Sequence, residues 1–153
     1  MILQPKTQRG IALLEALISM LIFSLGILGV IAMQTTATKT VTETRYRTEA
    51  ALLADEMMGR FWANIGNAAS FNGFDTNVAL PANCPTDETN TGLSCRWGKK
   101  VLVMLPAARG RIAVVNAGIA GSPGMQVTIT LNWTVPGTTD VRNLDLTNVV
   151  VDR

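Results

Sequence analysis

The chain has 153 residues, of which 48% are apolar and 16% charged, with a mean hydropathy of +0.27. That length suits one ordinary domain, or a long helix with one small domain, and the balance is apolar for a soluble domain of this size. There is no histidine, which removes the commonest general base, the commonest metal ligand and every Ser-His or Cys-His nucleophile pair.

The net charge of +2 does not point to nucleic acid. Lys6 and Arg9 both precede Gly10, and the residues after Gly10 carry 11 basic and 11 acidic side chains. No basic stripe with interleaved aromatics remains, so no nucleic-acid partner is expected.

Residues 1–10 read MILQPKTQRG. Pro5 opposes a continuing helix, and Lys6 and Arg9 are positive with no acidic neighbour. Ile11 to Met33 follows, 23 residues whose single charge is Glu15. About 20 apolar residues cross a bilayer core as a helix. The positive flank keeps the N-terminus cytoplasmic and sends the rest across the membrane. A cleaved signal peptide ending at Val30-Ile31-Ala32 would need an apolar region longer than the usual 7–15 residues, opening on an acid. A plain anchor leaves Glu15 as a cost of about 2.5–3.5 kcal/mol at the bilayer centre, less near its surface. A cut after Gly10 removes the difficulty. Ile11 then carries a new α-amine, and the Glu15 carboxylate of the same chain or of a neighbouring copy can neutralise it.

Arg9-Gly10-Ile11-Ala12-Leu13-Leu14-Glu15, with its basic leader and long apolar helix, resembles the leader junction of type IV pilins and type II secretion pseudopilins. The resemblance implies that a prepilin peptidase cuts after Gly10 and N-methylates Ile11. It also implies that Glu15 guides docking into a growing filament. Ile11 stands where that family usually has phenylalanine.

Gln34 to Thr44 is rich in threonine, but no Gly or Pro interrupts it. From Thr44 onward Leu52, Met58, Phe61, Trp62 and Ile65 recur near helical spacing, which predicts one helix from about Ile11 to Asn64. Its length would be roughly 80 Å at 1.5 Å per residue. Its second half is amphipathic and predicts packing on a head. Gly66 to Gly92 reads as a loop. Cys84 and Cys95 form no CxxC pair and no four-ligand zinc set. In a reducing compartment they are two thiols, whereas export predicts one disulfide between them. Ser94 to Leu105 fits a helical face through Trp97, Val101, Leu102 and Leu105, although VLVML alone suits a strand. Arg111–Val115 reads as a short strand. Gln126–Val135 is the clearest strand, with Val127, Ile129, Leu131, Trp133 and Val135 alternating with polar residues and Trp133 read as core. Pro136-Gly137 signals a turn, and Leu144–Val151 reads as a last, antiparallel strand.

ALLADEMMGRFWAN, the later Trp97 with Met104-Leu105-Pro106, and QVTITLNW resemble the PilV subgroup of minor pilins, with Arg60 and Asn64 at the helix end. This tips Ser94–Leu105 towards helix. The fold expected is therefore α+β, a long N-terminal helix packed on a small antiparallel sheet. The domains expected are a leader over 1–10, a membrane and assembly segment over 11–33, a periplasmic half-helix over 34–65 and a periplasmic head over 66–153. The resemblance implies a structural protein with no cofactor and no metal. Its partners would be the prepilin peptidase, other minor pilins, the major pilin and the assembly platform of the inner membrane. Its final place would be the pilus, at the tip or in a priming complex. The rival readings are a type II secretion pseudopilin and a membrane-anchored head that binds a ligand or adheres. An anchored enzyme would need a convergent polar constellation, and the sequence offers none.

Overall fold

The computed structural model describes residues 9–117 and 124–151. Of the expected leader, residues 1–8 lie outside that range. The chain divides into two compact units, Met1–Val41 and Thr42–Arg153. Helix α1, Arg9–Ala63, runs unbroken through both.

Among the described residues α1 stands alone in the first unit. Every large apolar side chain from Ile11 to Met33 is 43–75% exposed, so none of the described residues covers them. The threonine-rich stretch that follows is helical, with its hydroxyls bonded back one turn. Thr35 donates to the carbonyl of Ile31 at 3.0 Å, Thr38 to Gln34 at 2.9 Å and Thr40 to Thr36 at 3.1 Å. Such bonds satisfy the hydroxyl without competing for the helix's own amide donors.

In the second unit α1 lays a stripe of Ala50, Leu53, Ala54, Met57, Met58 and Phe61 on the core. These recur at intervals of three and four residues, as one face of a 3.6-residue helix requires. Two residues of the expected stripe do not lie on it: Leu52 is 64% and Trp62 48% exposed. Alanines take their place because they let the helix approach its neighbours closely, and alanine carries little hydrophobic signal in a sequence.

Three strands follow in the order β1-β2-β3, all antiparallel: β1 Arg109–Asn116, β2 Gly124–Thr134 and β3 Val141–Val151. Register puts Ile112 opposite Ile129, Leu131 opposite Leu144 and Trp133 opposite Arg142. Val127, Ile129, Leu131 and Trp133 of β2 are buried, as strict alternation predicts. The β2–β3 turn closes with Thr138 N–H donating to the Val135 carbonyl at 3.1 Å. Gly137 takes φ +82°, a conformation that suits a residue without Cβ. The architecture is thus α+β, a long N-terminal helix packed on a small three-stranded antiparallel sheet.

The reading of Gly66–Gly92 as a loop needs correction at both ends. Ile65–Phe71 is a 3-10 helix that buries Ala68 and Phe71, with the Phe71 ring 4.6 Å from that of Phe61. Asn72 to Thr76 then runs along the outer edge of β1. Ile112 N–H donates to the Phe74 carbonyl at 2.9 Å and Thr76 N–H to that of Gly110 at 3.0 Å. This segment covers an edge that would otherwise expose unpaired amides. At the other end α2 starts at Asn90, four residues before the expected Ser94, and runs to Met104. Thr89 caps it, accepting from Gly92 N–H. Trp97, Val101 and Leu105 are buried as a helical face, whereas Leu102 is exposed. Pro106 follows directly, where a helix cannot continue.

Candidate functional site

Two places carry the residues singled out from the sequence. In the first, Gly10, Ile11 and Glu15 all lie on α1. Ile11 and Glu15 are four residues apart, so they share a face at about 6 Å of axial rise. Both are exposed, and among the described residues Glu15 has no ion-pair partner. A carboxylate on the otherwise uncharged segment Ile11–Met33, one turn from Ile11, is placed to meet a cation supplied from outside this helix or from a new terminus at Ile11. In lipid the charge of Glu15 calls for such a cation.

In the second place Cys84 and Cys95 form a disulfide, with Cα atoms 5.6 Å apart. It ties the segment before α2 to the first turns of α2. Arg96 donates to the carbonyl of Asp87 at 2.9 Å and pairs with Glu88 at 3.2 Å, and Lys99 donates to the carbonyl of Ala82. Gly92 is required here, because a Cβ at that position would meet Asp87 Oδ1 at 2.5 Å. The bridge therefore secures a segment with few apolar contacts of its own.

The sequence reading missed two groups that hold the head together. The Trp97 indole N–H donates to the Leu53 carbonyl at 2.8 Å and pins α2 to α1. Asp75 receives both Nε and Nη2 of Arg109 and lies 3.7 Å from Arg111. The Arg109 hydrogen bonds, with help from Asn77 N–H, outweigh burial and hold the Asp75 carboxyl at about 2, below its ordinary 3.8. A Trp on the apolar face with Val101 was the available signal for the first, whereas loop-to-strand pairing across 34 residues leaves none for the second. Among the described residues no group of three His, Cys, Asp or Glu side chains could hold a metal ion.

Residues 5–31 match the family described as the prokaryotic N-terminal methylation motif. No curated protein and no solved structure matches the chain. The matched segment spans Gly10, Ile11 and Glu15 together with most of the uncovered apolar helix. The match indicates a type IV pilin-like or pseudopilin protein, structural in character, processed by a prepilin peptidase and associated with pilus-type machinery. The helix from Ile11 is long and apolar enough to cross a membrane, which fits membrane anchoring.

Proposed function

We propose that this chain is a minor type IV pilin. In this reading it inserts in the inner membrane with its N-terminus cytoplasmic and its head periplasmic. The leader, residues 1–10, is removed between Gly10 and Ile11, and Ile11 is methylated. Residues 11–33 are then buried among the same helices of other subunits, 34–65 continue into the periplasm, and 66–153 form the head. Glu15 pairs with the free α-amine of a neighbouring subunit.

The observation that carries the reading is Glu15, one carboxylate without an ion-pair partner among the described residues, on an uncovered apolar segment within the matched methylation motif. A filament core of like helices explains both features at once, since it supplies apolar neighbours and a cation. The head pattern around Arg60, Asn64, Trp97 and the Gln126–Val135 strand favours a PilV-like minor pilin over a pseudopilin. Intact-mass and N-terminal sequencing of the membrane-extracted protein should find a mature chain beginning at methylated Ile11. A chain beginning at Met33 would instead mark an ordinary signal peptide and end the proposal. Gly10→Val should leave the precursor uncut in the membrane, because the bulkier side chain obstructs the scissile bond. Glu15→Ala should leave membrane levels and head folding unchanged while incorporation into filaments falls at least tenfold. Wild-type incorporation would exclude the charge-pairing role.

A further inference from the structure

On the head, α1 and α2 pack side by side in opposite directions. Arg60 reaches the Leu93 carbonyl at 3.3 Å, Trp97 the Leu53 carbonyl at 2.8 Å, and Lys100 the Glu56 carboxylate at 2.7 Å. Between the two helices lies an open groove of about 470 Å³. Its apolar lining is Leu52, Leu53, Val103 and Met104. Val103 is 85% exposed, and Leu102, Val103 and Met104 make three consecutive exposed apolar residues, a pattern that marks a contact surface more often than a solvated one. The α1 wall is acidic through Glu49 and Glu56, while the α2 wall is basic through Arg96, Lys99 and Lys100. The walls are also engaged within the chain, Glu56 with Lys100 and Arg60, Glu49 with Arg45, Arg96 with Glu88, and Lys99 with the Ala82 carbonyl, at partly exposed sites where a second copy can compete.

We propose that this groove docks a second copy of the chain, related to the first by a two-fold axis running along the groove, parallel to α1. The proposal rests on the membrane-anchored, pilin-like reading. Two kinds of two-fold axis bring one such groove face to face with another. An axis along the groove sets the α1 wall of each copy against the α2 wall of the other, so acid meets base. An axis across the groove sets acid on acid and base on base, which is unfavourable. The second axis also reverses one α1 relative to the other. Charge thus selects the first arrangement. Under it, position along the groove is conserved, so Val103 and Met104 of one copy meet the other copy at the level of Leu52. The contact is isologous and closes at two copies. An acyl chain would use the apolar lining but leave the two oppositely charged walls without a role.

The test uses the full chain in native membranes carrying Val103→Cys. The native cysteines are bonded to each other, so a short bis-maleimide linker reacts only at the introduced thiol. A covalent dimer of twice the subunit mass is expected. Lys99→Glu should reduce its yield at least fivefold, and Glu49→Lys added to Lys99→Glu should restore it, with head folding checked by protease resistance in each variant. No dimer from a folded head, a linked product of different mass, or a yield indifferent to Lys99→Glu would each overturn the proposal. The mass of the unlinked chain in the same samples reports cleavage after Gly10. Failure of docking and failure of the pilin-like reading are therefore read separately.

Discussion

Trp97 and Trp133 belong to one core, yet they contribute to it in different ways. Both are almost fully buried. Trp97 spends its indole N–H on the Leu53 carbonyl, and its ring fills the space left by Gly110, where a Cβ would meet Trp97 Cη2 at 3.0 Å. Trp133 Nε1 has no hydrogen-bond partner among the described residues. A buried donor without an acceptor costs about 1–3 kcal/mol. Trp97→Phe should therefore lose a cross-helix bond and leave a cavity, lowering stability by roughly 2–4 kcal/mol. Trp133→Phe removes the unsatisfied donor along with some apolar area, and should cost less than about 1 kcal/mol. Denaturant midpoints of the two variants check this, and equal losses would show that size alone matters. Asp75 gives a second contrast. Its pKa falls on folding from 3.8 to about 2, so its contribution is full above the unfolded value and is lost as pH falls through about 2. Asp75→Asn should lower stability near neutrality by about 1 kcal/mol, within the range for a partly exposed bidentate pair. The difference from wild type should shrink between pH 4 and pH 2 in urea titrations, whereas a pH-independent difference would mean that the Arg109 contact is steric.

At the scale of elements, the disulfide and the N-cap of α2 act on the same stretch of chain. Residues 82–88 have almost no buried apolar side chains and are held by Cys84, Arg96 and Lys99 against the helix that Thr89 starts. Closing a loop of this size stabilises by about 2–3 kcal/mol in the chain-entropy account. Cys84→Ser with Cys95→Ser should lower head stability by that amount while α2 stays helical, because the Thr89 cap and the Trp97 face do not depend on the bridge. Circular dichroism with thermal melting separates the two, and loss of helix signal at low temperature would show that the bridge nucleates α2. The same comparison shows which elements were legible in the sequence. Long periodic segments were: α1, and β2 with its strict alternation of Val127, Ile129, Leu131 and Trp133. The start of α2 was not, because its signal is one capping threonine inside a polar run. The 3-10 helix was not, because seven residues give too little periodicity. The core face of α1 was only half legible, since Ala50 and Ala54 pack without advertising it while Leu52 and Trp62 advertise it and face outward. Of the candidate site, Gly10, Ile11 and Glu15 stood out through local chemistry alone. The α1–α2 groove did not, because it exists only once two helices whose contacts join residues 44 apart in sequence are packed together.

At the scale of the whole molecule, the apolar helix and the head answer different demands. In the proposed reading, any subunit with the uncovered segment from Ile11 and a glutamate at the position of Glu15 would offer a filament the same buried surface and the same charge pair. Mixed filaments would then need no special connector, and the head would decide where a subunit resides. A main subunit repeats one set of lateral contacts along the whole filament, which constrains every exposed residue of its head. A tip or priming subunit meets only a few partners, so its head can keep a long tethered segment such as residues 72–89. The minor-pilin reading accordingly predicts that deleting the gene reduces the number of surface pili and twitching movement several-fold, while the main pilin persists in the membrane. Immunogold against the head should mark filament ends or the cell envelope sparsely. Dense labelling along filaments would make this the main subunit. Normal piliation with lost protein secretion would assign it to a type II secretion system, because the leader and apolar helix serve both machines and only the head's partners differ.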